Sequence, residues 1–469
     1  MTTKPANITE QAARFIEDIA YDDLPTEALA IGRRCILDAM GLYVAGADES
    51  SVRMLIDDAR EQGGREDALL VGAGMAKVPA PLAARVLGTA GHAHDWDDTQ
   101  VSHDPAHIYG LLTHPTVPPL TAALVTAQRI GNVSGRGLMV AFQAGFEVEC
   151  KISEWMLPDH YLRGHHSSGT VGTFGACAAA SKLLGLHGAQ LRHALGMAAS
   201  FAAGIRCNFG TMTKPLHVGR AAENGVTAAL LAARGFTADP SALDGRWGFA
   251  QVLAGGFTDS KLEQGFGNTF TIVSPGVSIK PYPSGILTHQ SMDAMLKLVT
   301  TNDVRPDEVA SIVFHAGSNI LNPIRYPIAM NHLQAKFSMA ALLAMMVVHR
   351  RAGRREFTDE SILADDMQSM QRRITVQLDP AIEAMGFDLI RSRIELTTHD
   401  GRTLVQWADE RYRGGPNLPM SDDEVAQKFR DCTDGLLDAT RQDTVIATAR
   451  DVTGLADAGE LARCIATDG

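Results

Sequence analysis

"TFTIVSPGVSIKPYP", residues 269–283, is where the chain changes character. Threonine, isoleucine and valine crowd this stretch, and such residues favour pleated backbone. Pro275, Pro281 and Pro283 punctuate it. Upstream, apolar residues recur at helical spacing; downstream, strand-like runs alternate with helices. We read it as β-rich and place a boundary near 268, which predicts two kinds of domain in one chain.

Working back from it, residues 1–267 read as helices. "ITEQAARFIEDIA" (8–20) offers Thr9 as a cap, and "PTEALAIGRRCILDAMGLYVAG" (25–46) opens on Pro and closes on Gly, the usual asymmetry of helix ends. "GTFGACAAASKLLGL" (172–186) and "GRAAENGVTAALLAARGF" (219–236) are rich in Ala and Gly, which let helix backbones approach closely. Working forward, "VASIVFHAG" (309–317) and "RITVQLDP" (373–380) read as strands, and "RIELTTHDGRTLVQW" (393–407) as a hairpin turning at HDG. Helices "HQSMDAMLKLV" (289–299) and "HLQAKFSMAALLAMMVVHR" (332–350) lie between them. After about 415 the chain turns helical and polar again, as in "SDDEVAQKFRDC" (421–432). The expected fold is mainly α with a smaller α+β domain: 1–267 with 406–469 helical, 268–405 α+β.

Bulk composition narrows the function. A net charge of -12 over 469 residues argues against a nucleic-acid partner held by general basicity. The six cysteines form no CxxC pair, so tight zinc and iron–sulfur spacings are absent, and scattered thiols suit a reducing compartment. The first residues show no signal-peptide core, and the longest apolar run, "MAALLAMMVV" (339–348), is about half of the ~20 residues that a membrane helix needs. A cytoplasmic protein with no membrane partner is expected.

Chemistry concentrates in a few stretches. "GHAHDWDDT" (91–99) crowds Asp95, Asp97 and Asp98 beside His92 and His94. Its D-x-D-x-T pattern resembles phosphohydrolases that use an Asp nucleophile, but the residues before it are small and helix-like rather than a hydrophobic strand. A metal site draws support from eight histidines between His92 and His166, but no HExxH-type spacing occurs. His114 precedes Pro115 at a helix entrance, and "GHHSS" (164–168) sets His166 at a helix start, where an anion can meet free backbone N–H groups. Lys214 opens the helix of "TKPLHVGRAAENG" (213–225), against the macrodipole, which makes sense if both face a carboxylate; Arg220 lies about two turns in. Lys280 and His289 flank a Pro-rigid turn.

Taken in order, "HAHDWDDT", "THPTVPPLTAAL", "GHHSSGTVGTFGACAAASKLLGL", "GTMTKPLHVGRAAENG", "KPYPSGILTH" and "KFSMAALLA" resemble the MmgE/PrpD family, which includes 2-methylcitrate dehydratase, cis-aconitate decarboxylase and iminodisuccinate epimerase. The resemblance implies a two-domain subunit, typically in a homodimer, with the site between helical domain and lid and no metal or organic cofactor. It implies site residues Asp95, Thr99, His114, His166, Lys214 and Lys280; Arg220 and His289, from their places in these stretches, and Tyr326 are expected as further substrate contacts. Gly285 stands where the decarboxylase has a histidine, the decarboxylase's lid tyrosine falls near Ile320–Leu321, and the insert "QVSHDPAHIYGLL" (100–112) separates Thr99 from His114.

The implied activity is proton handling on the carbon α to a carboxylate, with lysines stabilising the developing charge and His114, His166 or Asp95 as base or acid. The first expectation is a hydro-lyase on a 2-methylcitrate-like di- or tricarboxylate. An epimerase of a dicarboxylate such as iminodisuccinate comes second, a decarboxylase third, and an inactive carboxylate-binding protein stays open. Asp95 and Thr99 are expected one helical turn apart, with Asp97 and Asp98 capping or solvating the turn that follows.

Overall fold

Glycine decides how the first helices meet. The computed structural model describes residues 7–101, 113–386 and 390–467. In it α1 (Ile8–Asp18), α2 (Thr26–Ala47), α3 (Ser50–Gln62), α4 (Ala80–His92), α5 (Val117–Ile130), α6 (Gly135–Trp155), α7 (Ser167–Leu183), α8 (Ala189–Phe201) and α9 (Thr213–Ala233) share one apolar core. A methyl on Gly219 of α9 would lie 2.1 Å from Thr89 Oγ1 and 2.3 Å from the Arg85 carbonyl of α4. One on Gly46 of α2 would lie 2.0 Å from the Ala90 carbonyl, on another side of α4. So α4 is gripped between α2 and α9 at distances only glycine allows. The cap of α1 is Asn7, whose side chain accepts from Glu10 N; Thr9 lies inside the helix, and its hydroxyl donates to Asp244.

The stretch 269–283 forms no strand, contrary to its composition. Prolines 275, 281 and 283 remove the N–H groups that a ladder needs. What remains is one two-residue bridge: Thr99 N donates to the Ser278 carbonyl at 2.9 Å, and Ser278 N to the Thr99 carbonyl at 2.8 Å. Phe270, Ile272, Val277 and Ile279 pack into the helical core.

A second core begins with Tyr282 and runs to Ala408. Its helices include α10 (His289–Thr301) and α11 (Met339–Val348). Its sheet has β1 (Val309–Ala316), β2 (Ile374–Leu378), β3 (Ser392–Thr398) and β4 (Thr403–Trp407) in the order β2-β1-β3-β4. β1 and β2 run parallel, and the other pairs antiparallel. Alternate residues such as Ile312, Phe314, Ile394 and Leu396 are buried and join Met292 and Met295 of α10 in that core. The apolar run 339–348 is α11, wholly inside this core; no helix among the described residues is long and apolar enough to cross a membrane. From Met420 the chain rejoins the first core. There α12 (Asp422–Thr433) lays Phe429 and Cys432 against Gly41 of α2, followed by α13 (Ala439–Arg450).

Candidate active site

The loop 93–99 leaves α4 and is tied down by lysines from distant parts of the chain. Lys336 Nζ donates to the Ala93 carbonyl at 2.9 Å, Lys280 to the Asp95 carbonyl at 2.9 Å, and Lys428 to the Trp96 carbonyl at 2.8 Å. Asp95 adopts a left-handed backbone, φ 53°, which few residues other than glycine accept. The chain therefore doubles back here, and Asp95 and Thr99 are not one helical turn apart as expected. Both reach the same cavity, Asp95 from this bend and Thr99 from the bridge to Ser278.

The Asp95 carboxylate sits between two ammonium groups: Lys214 Nζ at 2.9 Å from Oδ2 and Lys280 Nζ at 2.7 Å from Oδ1. Burial alone would raise its pKa, but the two lysines outweigh burial and hold the carboxyl well below its usual range. Lys214 also donates to His92 Nε2 at 2.9 Å. Each ammonium has three N–H donors, so one on each lysine has no partner among the described residues.

Asp97 and Asp98 are not solvated; both are buried. Asp97 accepts from His92 Nδ1 at 2.8 Å and lies 3.3 Å from His114 Nδ1. Asp98 accepts from Thr116 N and its hydroxyl at the entrance of α5, and burial beside Asp97 and Asp38 pushes its pKa up to about 7. His114 Nδ1 donates to the Asp98 carbonyl at 2.8 Å, which fixes the tautomer and leaves a lone pair on Nε2, 3.9 Å from Asp95. His166, the residue just before α7, faces His217 of α9 with their Nδ1 atoms 3.0 Å apart, so one donates and the other accepts. Burial lowers the pKa of all these rings, His92 to about 3 and His217 to about 4, and keeps His114 and His166 neutral.

Asp95, Thr99, His114, His166, Lys214 and Lys280 all line one cavity of about 80 Å³ between helical domain and lid. The other three expected contacts do not. Arg220 is on the outer face of α9, paired with Glu223 at 2.6 Å. His289 is fully buried under the lid, bonded to the Ser284 carbonyl and packed edge-on to Tyr282. Tyr326 packs over Gly210; Pro323 and Ile324 take the wall position instead. Residues 102–112 of the insert, with His103 and His107, lie outside the described residues. Sequence reading passed over Lys336, Lys428, His217 and Phe337. Lys336 and Phe337 sit inside the quoted "KFSMAALLA", where a lysine beside a buried apolar helix was the available signal.

His92, His114 and His166 bring ligand atoms within 4.8 Å of one another, as do His92, Asp95, Asp97 and His114. Both nitrogens of His92 are already engaged, by Asp97 and by the Lys214 ammonium, which itself holds the position a cation would take beside Asp95. These residues are arranged around lysine charge rather than around an ion.

A helical domain that carries lysines, neutral histidines and one pinned carboxylate, roofed by a small α+β domain, encloses this cavity. The chain belongs to the MmgE/PrpD family: the MmgE/PrpD N-terminal domain matches residues 10–261 and the C-terminal domain residues 282–453. It is 26% identical over 461 residues to a human cis-aconitate decarboxylase, covering 97% of this chain and 94% of the relative. A cis-aconitate decarboxylase of Mus musculus is 25% identical (98% and 93% covered) and one of Aspergillus terreus 23% (98% and 96%). A lyase-type role follows at the level of the family.

Proposed function

We propose that the chain is a lyase that works on the carbon next to a substrate carboxylate with protein side chains alone. The observation that carries this is two neutral imidazoles, His114 and His166, sharing a cavity with two lysines that each keep an N–H to offer. A carboxylate bridging Lys214 and Lys280 presents its α-carbon to the histidines. His114 Nε2 takes the α-proton, and the enediolate charge that develops meets the two ammonium groups. In a hydro-lyase the C–H electron pair then becomes the C=C bond, the β C–O bond breaks, and the imidazolium that His114 has become gives its proton to the departing hydroxide, which leaves as water. Asp95 keeps both lysines charged and in place.

Decarboxylation is the second reading, favoured by the names of the relatives. There a C–C bond to carboxylate breaks, CO₂ leaves, and a histidine protonates the carbon. Turnover of 3-hydroxy- and unsaturated carboxylates in D₂O separates the cases. Ultraviolet absorbance of a new conjugated acid supports the hydro-lyase, CO₂ release the decarboxylase, and deuterium uptake with neither an epimerase. If no carboxylate turns over but carboxylates bind, and Lys214→Ala no longer binds them, the lyase reading fails in favour of a binding protein. We also propose a cytoplasmic homodimer, which sedimentation and fractionation test.

A further inference from the structure

The cavity has two unlike walls. Its floor carries the charged and polar groups already described. Its roof, with Tyr161 and Thr288 completing the lining, is mainly Phe209, Ile286, Leu287, Pro323, Ile324 and Phe337. The two meet at Lys214, whose Nζ lies 5.3 Å from the ring centre of Phe209 and 5.5 Å from that of Phe337. Those rings are themselves 5.7 Å apart, so apolar surface begins directly beside the ammonium.

Charge is scarce in this space. Lys214 and Lys280 are opposed by Asp95, and the lining histidines are neutral, so the lining groups among the described residues sum to one positive charge. No arginine lines the cavity among the described residues. Two ammonium N–H groups remain, which matches the two oxygens of one carboxylate. A second or third carboxylate would find no further cation among the described lining residues, where Tyr161 and Thr288 add only neutral polar groups, at several kcal/mol for each buried charge.

Gly285 opens the roof. Its φ of -58° is one that any residue adopts, and a methyl there would meet nothing within 4 Å. The backbone does not demand glycine, so the missing side chain acts as vacant volume on the cavity wall. We propose that this cavity takes a substrate with a single carboxylate and an apolar arm, the arm lying against Phe209 and Phe337 and reaching the space at Gly285. This rests on the lysine-held carboxylate of the proposed function but names a different class from citrate-like acids.

Titration calorimetry with four unreactive acids tests it: acetate, 4-methylpentanoate, glutarate and tricarballylate. The expected result is 4-methylpentanoate binding tightest, about tenfold or more above tricarballylate, and a Gly285→Leu variant losing about tenfold of the 4-methylpentanoate-to-acetate ratio. Tricarballylate binding tighter than 4-methylpentanoate, or an unchanged ratio in Gly285→Leu, overturns the proposal while leaving the lysine-held carboxylate intact. If none of the four acids binds, both fall.

Discussion

The floor and the roof of the cavity are built on opposite principles. The floor, loop 93–99 with Lys214 and Lys280, is over-determined: three main-chain carbonyls and one carboxylate are each held by a buried ammonium. The roof is Gly285 with the short helical turn Ile286–Thr288, and Pro323–Ile324, with mostly apolar side chains toward the cavity and, among the described residues, no charge-assisted bond. Charge-assisted bonds fix geometry; apolar contacts tolerate change in shape. The proposed function therefore puts chemistry on the tightly bonded side, and selectivity on the side that can be re-cut by single substitutions.

The largest test of that contrast strikes the floor. Lys280→Met leaves Asp95 buried with one lysine and the Asp95 carbonyl without its donor. We expect a loss of about 3–5 kcal/mol in denaturant unfolding together with loss of turnover. A stable, active variant would break the contrast. Next, His114→Asn should lower kcat by about 10²–10⁴ with the melting temperature nearly unchanged, since the proposed role of the ring is proton transfer. Unchanged kcat would move the base elsewhere.

Asp98 sharpens the comparison through pH. Its folded pKa of about 7 lies above that of a free aspartate. Its contribution to stability is therefore complete below about pH 4 and is lost as pH rises through about 7, where a buried carboxyl must ionise. The parent's melting temperature should fall between pH 5 and 8, and Asp98→Asn should flatten that fall. An equal slope in both would remove Asp98 as the cause. The smallest effect is expected outside the cavity: Arg220→Ala should change stability by no more than about 0.5 kcal/mol and leave turnover alone, because the Glu223 pair is a surface one. A large loss of activity would return Arg220 to the site.

Much of the floor was legible because its residues come in short local patterns. Lys214 before Pro215 at a helix start, His114 before Pro115 and His166 before a helix each carry a conformational reason for being where they are. The Ala- and Gly-rich helices were legible because close packing needs small residues, as Gly46 and Gly219 against α4 illustrate. The β-like composition of 269–283 misled, because prolines cancel the hydrogen bonds that its residue types favour. Arg220 and His289 misled in another way. Both stand near cavity-lining residues in sequence, but a helix carries Arg220 round to its outer face, and the lid core closes over His289. Lys336 and Lys428 were illegible since their targets, the carbonyls of Ala93 and Trp96, lie hundreds of residues away.

The tether from Lys428 to Trp96 has a consequence for synthesis. A nascent chain that has emerged only as far as β4 already holds Asp95, both histidines, Lys214, Lys280 and the roof. It still lacks the helix whose lysine is bonded to the Trp96 carbonyl and to Asp38. Competence on the ribosome should therefore arrive in a late step, when α12 docks on α2, so that a half-made chain does not act on metabolites before its release.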